Sequence, residues 1–128
     1  MSFRKTSMPW TQVFSVSTTS ALFHPATMWT AASEAKQARA GCEIALLEAD
    51  LTLCPGYQTA NVENDVLSEG AIGTYQSTNG VHYPTEWEDL SAATQGKQMI
   101  RFGWLTVNTS SATRNRARVA GFIQTSDS

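Results

Sequence analysis

The feature that most limits this chain is a pair of alternating runs near its C-terminal end. Met99-Ile-Arg-Phe-Gly-Trp-Leu-Thr-Val-Asn108 is followed, after a polar link, by Arg116-Ala-Arg-Val-Ala-Gly-Phe-Ile-Gln-Thr125. Counted in twos, the first run sets Ile100, Phe102, Trp104 and Thr106 on one face, against Met99, Arg101, Leu105 and Val107. The second sets Ala117, Val119 and Ile123 against Arg114, Arg116, Arg118, Phe122 and Gln124. Aromatic and β-branched residues at this spacing make pleated strands and not a helix. The link Thr109 to Asn115 is long for a tight turn but ordinary for a loose hairpin tip. The two runs are therefore expected to pair as an antiparallel hairpin at the centre of a sheet.

The rest of the chain reads in the same way. Residues 1–9 are polar, carry Arg4 and Lys5, end at Pro9 and are expected to be an arm lying across a neighbouring molecule. Strands are predicted at 10–17, 27–31, 42–53, 57–62, 71–76, 98–108 and 114–125. Pro25 breaks the chain between the first two, with His24 a surface residue beside it. Residues 34–53 carry two patterns, a helical one through Ala40, Ile44, Leu47 and Leu51 and an alternating one. The alternating pattern is preferred, as one long strand from Gly41 to Leu53 ended by a Cys54-Pro-Gly56 corner. Asn79-Gly80 is a turn signal. Pro84 to Gly96 is predicted to be the single helix, capped by Thr85 with Glu88 three residues on and stopped at Gly96. Many strands, polar turns and little helix predict a mainly β fold, an antiparallel two-sheet β-sandwich of about seven strands, jelly-roll-like. Its domain spans 10–125, with 126–128 a tail.

Composition bounds the function. The 128 residues suffice for one domain that buries a core without staples. Charged residues are only 16% and the formal net charge is −2, so no basic field recruits nucleic acid. No apolar run is long enough to span a membrane, and the start lacks the apolar core of a signal peptide, so a protein made without export is expected. Cys42 and Cys54, far apart on one extended strand, are expected to be free thiols.

Reactive constellations are sparse. The two histidines, His24 and His82, do not accompany a nucleophile motif, and the cysteines sit in apolar runs that make thiols inert. Neither a metal nor a cofactor is expected, since no ligand spacing is present. Arg114, Arg116 and Arg118 share a face and form a basic stripe that could meet the acidic Glu86, Glu88 and Asp89 of a neighbouring copy. Those three acids otherwise suit the positive end of the predicted helix. Trp29, Tyr57, Tyr75, Tyr83 and Trp87 lie in or near loops and are candidates for a glycan platform.

The runs Ile100-Arg-Phe-Gly-Trp-Leu-Thr-Val-Asn-Thr-Ser-Ser and Arg116-Ala-Arg-Val-Ala-Gly-Phe-Ile-Gln resemble small β-sandwich structural proteins of tailed-phage virions, namely decoration, head-fibre and tail-accessory proteins. The resemblance implies a non-enzymatic virion component, assembled in the host cytoplasm as a symmetric homo-oligomer. Its partners would be copies of itself and other virion proteins, without nucleic acid or membrane. The alternative is a carbohydrate-binding module that takes a surface glycan on the loop aromatics.

Overall fold

The computed structural model describes residues 2–110 and 114–128. Among them the alternating segments form eleven strands: β1 (Phe3–Met8), β2 (Phe14–Val16), β3 (Leu22–Pro25), β4 (Thr30–Ala31), β5 (Gln37–Ala45), β6 (Leu51–Ala60), β7 (Val66–Ala71), β8 (Gly80–His82), β9 (Glu88–Asp89), β10 (Met99–Asn108) and β11 (Asn115–Ser126). A 3-10 turn at Ala32–Glu34 and one helical turn, α1 (Ser91–Thr94), complete the set. One sheet runs β1-β11-β5-β8, with β2 also on β11 and β9 also on β5. The other runs β3-β10-β6-β7, with β4 also on β10. Every strand pairing is antiparallel. The protein is thus a mainly β, two-sheet antiparallel sandwich of jelly-roll-like kind.

Both C-terminal runs are central strands, but the expected hairpin between them does not form. β10 lies between β3 and β6, and β11 lies between β1 and β5 in the opposite sheet. Residues 111–113 of the proposed hairpin tip lie outside the described residues. The two apolar faces meet across the core instead. Trp104 is fully buried, and its ring packs on Gly121: a Cβ there would lie 2.8 Å from Trp104 Cη2. Around this contact gather Ile100 and Phe102 from β10, Val119 and Ile123 from β11, Ala38, Ala40, Cys42 and Ile44 from β5, with Met8, Leu53 and Ile72. Period-two alternation satisfies lateral pairing and face-to-face packing equally well, so it could not choose between them.

A smaller cluster of Val16, Leu51 and Ala117 closes one end. Beside it two buried asparagines are joined. Asn108 Nδ2 donates to the Val16 carbonyl at 3.0 Å, and its Oδ1 accepts from Asn115 Nδ2 at 3.0 Å.

Other expectations need correction. Residues 42–53 are neither one strand nor a helix. β5 ends at Ala45, Leu46 takes a left-handed φ of 59°, and Leu51 N donates to Glu48 O before β6 begins. The Cys54-Pro-Gly56 corner is absent, because Pro55 and Gly56 lie inside β6 opposite Trp104 and Gly103. Proline is tolerated there because its nitrogen faces away from β10. Its carbonyl accepts from Ile72 N on the β7 side, where the β6–β7 ladder has just ended at Gly56. Residues 3–8 of the expected arm are an edge strand on β11, fixed by burial of Met8. Ser126, placed in the tail, is the end of β11.

The predicted 84–96 helix shrinks to α1. Thr85 does not cap it: Thr85 N donates to Ala40 O at 2.8 Å, and its Oγ1 accepts from Ala40 N at 3.1 Å. Glu88 and Asp89 form β9 on the same strand. Hydrogen bonding to the open edge of β5 thus overrides the local capping signal. Strand 10–17 shortens to β2 and 27–31 to β4. Segment 57–62 merges into β6, and 71–76 gives way to β7 plus a bridge between Gln76 and Leu53. β3, broken in expectation by Pro25, forms with that proline at its end.

Candidate interaction surfaces

Alternation along β11 sends Arg116, Arg118, Ala120, Phe122 and Gln124 to the outer face of the first sheet. Register then decides their neighbours. Lys5, Gln124 and Arg39 form one row across β1, β11 and β5. The row beside it is Ser7, Phe122 and Gly41, where the Phe122 ring lies over the glycine. Cations and rings are paired along this face. Lys5 Nζ sits 4.5 Å above Phe122, the Arg39 guanidinium 4.9 Å above Trp87, and Arg118 4.4 Å above Trp10. Each such contact contributes about 0.5–1 kcal/mol at an exposed site. The Phe3 and Trp87 rings meet at 5.9 Å. Phe3, Arg4, Lys5, Arg39, Trp87 and Gln124 line a cleft of about 420 Å³. Arg39, Gln124, Phe3 and Phe122 were missed by sequence reasoning, since only register makes them neighbours.

The basic stripe has its predicted direction but less free charge than expected. Arg116 Nε is 2.8 Å from Glu48 Oε1, which holds the Glu48 carboxyl below its ordinary range through the hydrogen bond from Arg116. Arg118 lies on Trp10, its Nε buried with no hydrogen-bond partner among the described residues. Arg114 is exposed. Arg4 pairs with Glu34 at 2.8 Å. The acids are also engaged: Glu88 Oε2 accepts from Gly73 N at 3.1 Å, and Asp89 Oδ1 accepts from Ser91 N at 2.8 Å. Hydrogen bonding from Ser91, by its side chain first and its backbone N–H second, holds Asp89 below the ordinary carboxylate range. Glu86 is exposed.

The five loop aromatics do not share one surface. Trp29 lies on the outer face of the second sheet, where Arg101 stacks 4.5 Å from it and 5.6 Å from Phe23. Arg101 also donates to Gln58 Oε1, which is tied in turn to Glu69. Tyr57 packs against the core. Tyr75 neighbours the Cys54 thiol and opposes the upward push of burial on it. Tyr83 and Trp87 flank the first sheet, lining a common cleft with Glu86 and Glu88.

A further surface was not foreseen. β7 and β8 are each the last strand of their sheet. Val62, Val66 and Leu67 are exposed at β7, and Val81 (65%) and Tyr83 (88%) at β8. A groove of about 360 Å³ between Val81, Tyr83, Pro84 and Phe122 adjoins it. Its signal in the sequence was an alternation whose outward positions are also apolar.

The reactive candidates are muted by burial. Cys42 and Cys54 are free thiols on different sheets, and desolvation pushes them up to about 11 and about 12. His24, expected at the surface, is half-buried, stacks on Phe14 at 4.4 Å and shares a 2.9 Å hydrogen bond with Thr106 Oγ1. Burial lowers its pKa. Among the described residues, no three histidines, cysteines or acids gather to hold a metal. No helix among them is long and apolar enough to cross a membrane.

No family model and no curated protein matches the chain. Its fold is similar to that in the structure of infectious bursal disease virus Gx strain, with TM-score 0.61, 10% identity and 96% of this chain covered. It is also similar to that in the crystal structure of the infectious bursal disease virus VP2 subviral particle, with TM-score 0.56, 9% identity and 96% covered. The chain spans 31% of the length of each. At this identity the likeness is one of fold. The expected tailed-phage resemblance is met only as a likeness of fold to two viral structures, neither of them a phage's.

Proposed function

We propose that the chain is a non-enzymatic structural protein of a virion that assembles into a symmetric homo-oligomer through the edge strands β7 and β8. The observation that carries this reading is that both edge strands expose apolar side chains, Val62, Val66 and Leu67 at β7 and Val81 and Tyr83 at β8. Exposed apolar patches of this kind mark protein contacts. Both are edge strands, and unpaired strand edges are ready sites for another chain. The fold shared with two viral structures supports the same reading. The role within the particle is that of a decoration, head-fibre or tail-accessory subunit, added during assembly in the host cytoplasm. Exposed Arg114 and Glu86 are the stripe and cluster members left to join copies by charge.

Light scattering coupled to size-exclusion chromatography tests this. The parent protein is expected to elute as a defined oligomer, and Leu67→Glu with Val81→Glu as a folded monomer. A parent that stays monomeric at high concentration overturns the proposal.

A further inference from the structure

We infer that the cleft over Gln124, between Lys5 and Arg39, binds the anionic group of an acidic sugar. The row Lys5–Gln124–Arg39 crosses three adjacent strands. At about 4.8 Å per strand, the two cationic residues straddle Gln124 with backbones about 10 Å apart. Gln124 Oε1 already accepts from Arg39 Nε at 2.6 Å. That bond leaves the amide nitrogen of Gln124 as its open group. The terminal nitrogens of Arg39 and the ammonium of Lys5 have no acidic partner among the described residues. The row therefore presents donors alone, which calls for a group that only accepts: a carboxylate or a sulfate.

The cations are held in place without being neutralised. Arg39 is stacked on Trp87 and Lys5 lies over Phe122. The positions are thus fixed while the charge stays available, which lowers the ordering entropy on binding. The Phe3 and Trp87 rings wall the cleft, and such faces suit the C–H face of a pyranose ring. A nucleic-acid strand fits less well. It needs cations spaced along a backbone track, whereas Arg4 and Arg116 are paired to Glu34 and Glu48 and the formal net charge is −2. One anion for each ring-sized cleft matches an acidic saccharide.

The test titrates the full chain by isothermal calorimetry with tetragalacturonate, a heparin-derived tetrasaccharide, neutral cellotetraose and octathymidylate. Saturable binding of either acidic sugar, and none of cellotetraose, is expected, and comparing the two tells carboxylate from sulfate. Lys5→Gln and Arg39→Gln are each expected to weaken binding at least tenfold while remaining folded at the titration temperature, and Arg39→Lys to recover part of the loss. Because Lys5 is exposed, Lys5→Gln keeps the test decisive if the Arg39 variants melt early. Binding to neither acidic sugar, equal binding by Lys5→Gln, or tighter binding of octathymidylate than of both sugars overturns the inference.

Discussion

Replacing Gly121 by alanine probes the contact on which the two sheets close. The added methyl meets two neighbours with little room to yield. It lies 2.8 Å from Trp104 Cη2, on a fully buried ring, and it runs into the carbonyl oxygen of Gly41 on β5. Overpacking costs about 1–3 kcal/mol for a collision of this kind. Alanine also narrows the unfolded ensemble, which offsets about 0.4–1 kcal/mol. The net loss expected is about 1–2 kcal/mol, a sizeable part of a stability of about 5–15 kcal/mol. For a domain of this size it corresponds to a fall in melting temperature of about 5 °C. Gly96→Ala is the control. Its φ is +72° and nothing lies within 4 Å of its Cβ position, so left-handed strain of about 1–2 kcal/mol, less the same unfolded-state offset, leaves a loss of about 0.5–1 kcal/mol. Thermal and urea melts followed by circular dichroism read both. A double-mutant cycle with Trp104→Phe should show the Gly121→Ala penalty shrinking by about 1 kcal/mol, since the smaller ring vacates the site. A Gly121→Ala protein melting within about 2 °C of the parent, or less damaged than Gly96→Ala, refutes this account of the core.

Further outcomes follow from buried polar groups. His24 has a lowered pKa because burial disfavours its cation. The unfolded chain therefore binds a proton first as pH falls. Stability should be unaffected by this group well above pH 6.5 and should decline from there down through the folded-state pKa, then level off. His24→Gln should flatten that limb of a urea-midpoint profile, and an unchanged profile would exclude His24 as its source. Asn108→Ala strips partners from the Val16 carbonyl and the Asn115 amide, so a loss of about 2–3 kcal/mol is expected in denaturant melts. A loss under about 0.5 kcal/mol would mean that this end of the sandwich is not held by the pair. Cys42 and Cys54, pushed up to about 11 and about 12, should resist an aromatic disulfide reagent at pH 8 in the folded protein and both react in denaturant. Rapid labelling of the native chain would contradict their burial.

Sequence alone determined which residues of β10 and β11 turn inward, because pleating fixes a period of two whatever lies next to the strand. It therefore carried the fold class, the outward direction of the arginines at 116 and 118, and the inertness of thiols set in apolar runs. Lateral partners were decided only by tertiary structure. The same alternation lets two strands pair in one sheet or face each other from two, and the Trp104–Gly121 contact selects the second. Capping signals at Thr85 and Glu88 yielded because the edge of β5 offered stronger, non-local hydrogen-bond partners. The Lys5–Gln124–Arg39 row shows the same limit. Its members are separated by most of the chain and become neighbours only through register, which the ladder sets and no local pattern records.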